Sequence, residues 1–115
     1  MDKDEKQFLL TAVWLFAQHG QYARARTICA ALLEDNPRDG VAAAIQAELL
    51  LEERQAEAAL ETLRAAEFPP ELDRAEALLE SRALMMLGRG DEASARWKRF
   101  LAARKGAQRQ WVVEP

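Results

Sequence analysis

Ala25, Ala59 and Ala93 stand 34 residues apart in a chain of only 115. The same step joins Gly20, Arg54 and Gly88, then Phe16, Leu50 and Leu84, then Leu15, Leu49 and Ala83. A period of this length matches a unit of two helices and a turn that stacks on copies of itself. Stacked units bury a shared core that none could bury alone, so the period constrains the whole chain. It predicts an all-α protein with a single domain, of which about two-thirds of the unfolded surface is buried on folding.

The step divides the chain into units of about 6–39, 40–73 and 74–107, with a tail over 108–115. This is the spacing of the tetratricopeptide (TPR) repeat, and three TPR-like units predict a short right-handed solenoid with a concave groove. Within each unit a small residue early in helix B lets it approach helix A closely. The three alanines fill that position, opposite Val13, Ala47 and Ser81 on the A helices. Bulkier neighbours complete the contact: Phe16, Leu50 and Leu84 on A, and Cys29, Leu63 and Trp97 on B. Gly20 and Gly88 are placed to close A helices in the left-handed conformation, with Arg54 at the middle turn. Asn36-Pro37 ends the first B helix, because the residue before proline is steered out of helical geometry, and Pro69-Pro70 lies near the second boundary, a position or two early for the usual pattern. Gly106 is expected to end the last helix; residues 108–115 are then a flexible tail, or Trp111, Val112 and Val113 fold back over the third unit.

The A helices are far more apolar than the B helices. Phe8–Ala17 has nine apolar residues in ten, Val41–Leu51 nine in eleven, and Ala75–Leu87 nine in thirteen. A helix that is apolar nearly all round must be covered on more than one side. The A helices line the groove of such an array, which makes Leu10, Trp14, Ala17, Ala44, Glu48, Leu51, Leu78, Arg82, Met85 and Met86 the candidate partner-binding residues. Apolar stripes of this spacing also build ordinary cores, and pairing of two copies through the groove would cover the same surface. Repetition in all three A helices favours an interaction surface. Paired methionines suit a surface that adapts to its ligand. The groove lacks the Lys and Asn clamp with which some TPR domains hold a C-terminal carboxylate, so an apolar or amphipathic helix is the expected occupant.

Other chemistry finds little footing. His19, the only histidine, sits at a predicted helix end, and Cys29, the only cysteine, faces helix A as a core thiol. No metal-ligand spacing, nucleotide fingerprint or activated serine appears, so neither an enzyme nor a cofactor is expected. A lone cysteine excludes an internal disulfide and fits a reducing compartment. Met1–Gln7 carries both charge signs without a cleavage signal, and no apolar run approaches the roughly 20 residues that cross a membrane. A cytosolic protein without membrane insertion is therefore expected. Charge is uneven: residues 40–80 carry −7 and residues 81–115 carry +5, within a net −3. The net acidity argues against nucleic acid, and the basic end suits an acidic protein partner.

The Gln7-Phe8-Leu9-Leu10 and Trp14-Leu15 block, Gly20, Arg24-Ala25, Ala31-Leu32-Leu33 before Asn36-Pro37, and Leu87-Gly88 through Ala93-Arg96 resemble the small TPR-like chaperones of bacterial type III secretion systems. The resemblance is to the Y chaperone (YscY/SctY-like) group and covers nearly the whole chain, with the second unit departing most. It implies a cytosolic export chaperone that sequesters a small secreted component, called X, in its groove. It also implies association of the pair with the cytosolic domain of the export gate. The needle-subunit chaperone of the same systems and a general TPR adaptor are the alternative readings.

Overall fold

A computed structural model describes the backbone of residues 1–110 and the side chains of residues 1–106. Six α-helices follow one another: α1 (Lys3–Gln18), α2 (Tyr22–Asp35), α3 (Gly40–Glu52), α4 (Ala56–Ala65), α5 (Asp73–Met86) and α6 (Gly90–Gln110). A single 3₁₀ turn over Pro70–Leu72 precedes α5, and no strand occurs among the described residues. Each helix packs on the next, and α3 also packs on α5. The result is elongated, with a Cα radius of gyration of 15.9 Å against about 13 Å for a globule of this length.

The 34-residue step reappears as three copies of one hydrogen-bonded turn. Gly20 N–H donates to Ala17 O at 3.1 Å and Gln21 N–H to Phe16 O at 2.8 Å. Arg54 and Gln55 repeat the pair on Leu51 and Leu50, and Gly88 and Arg89 repeat it on Met85 and Leu84. This is the Schellman closure, which uses up carbonyls that a helix end leaves free. It needs a left-handed residue, and φ is 72° at Gly20, 63° at Arg54 and 74° at Gly88. Arg54 adopts that conformation with a side chain, at a cost of about 1–2 kcal/mol. The turn therefore forms in all three places, even where the glycine is missing.

The three alanines are buried, Ala25 and Ala59 completely and Ala93 to 4 % exposure. Two apolar clusters result. Val13, Ala25, Cys29 and Leu49 join α1, α2 and α3. A larger one gathers Leu50, Leu60, Leu63, Leu79 and Leu84 between α3 and α6. Ser81, opposite Ala93, donates its hydroxyl to the Ala93 carbonyl at 3.4 Å, while Trp97 lies half-buried against Phe100 with ring centroids 5.0 Å apart.

Two expected boundaries move. Helix α4 stops at Ala65, four residues short of Pro69. Beyond it Glu67 N–H donates to Arg38 O at 3.1 Å, and Glu67 bridges to Asp39 as a short parallel pair. A Cβ on Gly40 would meet Glu67 O at 2.6 Å, so glycine there is what lets the two loops lie against each other. At the other end α6 runs through Gly106 to Gln110 instead of ending at the glycine. One glycine costs a helix only about 1 kcal/mol, less than the hydrogen bonds lost by stopping there. Trp111, Val112 and Val113 lie outside the described residues.

Candidate partner-binding cleft

Helix α1 is held against α2 and, near its start, against the N-cap of α3, and it stands away from α3 beyond that point. Towards its middle, Val13 is sealed against α2 beside Ala25 and Cys29. Nearer its start, Lys6 forms an ion pair with Asp39, the N-cap of α3. Asp39 also accepts from Val41 N–H at 3.1 Å and Ala42 N–H at 3.2 Å. Burial opposes ionisation of this carboxyl, but Lys6 and the two amides outweigh it and hold its pKa below the ordinary value.

That depression predicts an acid-side loss of stability. A carboxyl with a lowered folded pKa stabilises the fold above its unfolded value of about 3.9 and ceases to as pH falls through the folded value. Lys6→Met should therefore cost roughly 1 kcal/mol at neutral pH, a modest figure because water screens the half-exposed lysine. It should also flatten the acid limb, and urea melts between pH 3 and pH 7 check both. Equal losses at the two ends would exclude the ion pair as the cause.

Past Lys6 a cleft of about 480 Å³ opens between α1 and α3. Leu10, Trp14 and Ala17 form its α1 wall, with Val13 at the base; Ile45 and Leu49 form the α3 wall, and Tyr22 closes one end. Glu48 and Glu52, one turn apart on α3, put carboxylates on the rim, and Arg82 of α5 reaches Glu52 at 3.8 Å. Trp14 is 60 % exposed, a large apolar surface left in water. Further along, α5 leaves Leu78 43 % and Met85 63 % exposed.

The ten expected residues thus divide. Leu10, Trp14, Ala17 and Glu48 share the cleft, and Leu78, Arg82 and Met85 lie on the open side of α5. Met86 stands apart, in a depression bounded by Arg54–Ala58 at the opposite turns. Leu51 is a correction: it is 2 % exposed and belongs to the larger core cluster, on which Ala44 is also packed. A groove surface is the expectation for both, but α5 rests directly on α3, and Leu51 is buried while Ala44 keeps part of its surface open. Ile45, Leu49, Tyr22 and Glu52 were missed. For Ile45 and Leu49 the only sequence signal is that α3 is apolar on nearly every side, which does not tell a cleft wall from a core; Tyr22, at the start of α2, and the charged Glu52 carry none.

No family model and no curated protein matches the chain. The arrangement itself offers apolar walls with a polar rim. Cys29 is fully buried, and desolvation followed by the Asp39 charge pushes its thiol up to about 11, so it is inert near neutral pH. His19 caps the end of α1 in the open. Among the described residues no group of His, Cys, Asp and Glu could hold a metal ion. No described helix is long and apolar enough to cross a membrane.

Proposed function

We propose that this chain is a TPR-like chaperone of a bacterial type III secretion system, of the Y kind, working in the cytosol. Its three helical pairs act as a short right-handed solenoid whose concave side holds an amphipathic segment of a small exported protein. The cleft between α1 and α3 carries the reading, because α3 and α5 close on each other while Leu10 and Trp14 remain unpaired across from Ile45. A helix laid there would bury the indole and present its polar edge to Glu48 and Glu52. Sequestration would keep the segment from aggregating before export, and binding only the folded chaperone would stabilise it by mass action. Association of the loaded pair with the export gate belongs to the same proposal.

The test is affinity capture from a bacterium with such a secretion system, followed by identification and titration of the recovered protein. Recovery of a small secreted component, with affinity reduced about tenfold or more by Trp14→Glu with Met85→Glu, is the expected outcome. Both sites are exposed, so helicity should be unchanged. Unaltered affinity in the double variant would remove the cleft from the proposal, and failure to recover any secretion component would remove the function.

A further inference from the structure

The outer face of α1, turned away from the cleft, is a second apolar surface. Phe8 is 71 % exposed and Leu15 47 %. One step of 34 along the chain their counterparts are Ala42 and Leu49, and the latter seals against α1 and α2. Both counterparts are buried, at 0 % and 4 % exposure. The register therefore gives α1 a face of the kind that α3 buries against the preceding helical pair, and in α1 that face is open.

Head-to-tail stacking of copies does not fit as the cover. Where α4 buries Ala56 and Leu60, α6 has Gly90 and Ser94, both exposed and neither apolar. The outer face of α1 is instead complementary to itself. Asp4, Phe8, Thr11, Leu15 and Gln18 are spaced 4, 3, 4 and 3 residues apart, the spacing of a two-helix seam, with Phe8 and Leu15 as its apolar members and polar residues at its centre and ends. Turned antiparallel about the point between Thr11 and Ala12, Phe8 meets Leu15 of the other copy, and the small Thr11 meets Ala12. Asp4 then meets His19, Glu5 meets Gln18, and no acid faces an acid. A shallow depression beside Phe8, lined by Asp4, Glu5 and Leu9, lies where a leucine side chain would insert.

The geometry points to an isologous homodimer through antiparallel α1 helices, separate from the cleft. Each helix has 16 residues, about 24 Å of contact, which is at the small end of specific interfaces. The dimer is accordingly weak and concentration-dependent. It leaves the α1–α3 cleft of each copy open, so it stands or falls apart from the chaperone reading.

Sedimentation equilibrium of the full chain over the micromolar range tests it. The wild type should pass from monomer to dimer, Phe8→Glu with Leu15→Glu should stay monomeric at every concentration, and Trp14→Glu should dimerise as the wild type does. Register is read by mixing two single variants, Phe8→Cys and Leu15→Cys, under mild oxidation, with Cys29 buried and out of reach. Faster cross-linking of the mixture than of either variant alone is expected. A wild type that remains monomeric throughout overturns the proposal, as does a dimer that survives both glutamates. Faster Phe8→Cys self-linking than mixed linking overturns the antiparallel register.

Discussion

Replacing Leu63 with alanine is expected to lower the stability of the fold by about 3 kcal/mol. The side chain is 1 % exposed and sits in the cluster that joins α3, α4, α5 and α6, beside Leu50, Leu60 and Leu84. In a packed interior the surrounding atoms relax only partly, so the deletion loses both transfer energy and the contacts across the void. The effect should reach all four of these helices, because each contributes buried residues to the cluster. At about 4–8 °C per kcal/mol for a small domain, the melting temperature should fall by roughly 15 °C. Calorimetry and urea melts measure it. A loss under about 1 kcal/mol would mean that the helical pairs are stable singly and that the central cluster couples them little.

Arg96→Met should have a comparable effect for an electrostatic reason. The guanidinium bonds Glu80 at 3.0 Å and lies 3.8 Å from Glu76, joining α6 to α5. The Arg96 and Glu80 side chains are only 12 % and 11 % exposed, so removing the arginine leaves the nearly buried Glu80 carboxylate without its counter-charge and Glu76 with Arg99 alone. Such truncations cost about 3–5 kcal/mol when burial is complete. The remaining exposure, and that of Glu76 at 27 %, puts the expectation near the lower limit, about 3 kcal/mol. Arg96→Met with Glu80→Leu should recover most of the loss, since an apolar pair of similar volume needs no counter-charge.

The pH dependence of the single variant has a definite sign. Burial already raises the Glu76 pKa against the opposing pull of Arg96. A carboxyl with a raised folded pKa binds more protons folded than unfolded, so its contribution weakens as pH climbs through the window above its unfolded value of about 4.3. Without Arg96 the window widens. The variant should therefore lose more stability at pH 7 than at pH 4.5, and urea melts at the two values would reveal it. A loss independent of pH would assign the effect to lost packing of the arginine stem instead.

The turns and the close helix contacts were legible because each depends on a local steric requirement. Gly20 and Gly88 mark left-handed closures, and Ala25, Ala59 and Ala93 mark places where two backbones approach. The helix ends at Ala65 and Gln110 were not legible. The first depends on Glu67 meeting a loop 29 residues earlier at Arg38, and the second on a helix tolerating Gly106. The candidate site was legible as a list of surplus apolar residues, and not as a surface. Trp14 and Leu51 both read as surplus apolar residues of an A helix, yet one is 60 % exposed and the other 2 %.

Periodicity in the chain thus accounts for the helical pairs, their turns and the alanine contacts, since each is specified by residues on one or two adjacent helices. Which apolar faces stay open was settled by distances between helices that are not adjacent in sequence. Helix α5 closes on α3, while Lys6 and Asp39 hold α1 near its start and leave the cleft open beyond. Burial is a property of neighbours, and a residue's own hydrophobicity carries no record of which neighbour arrives.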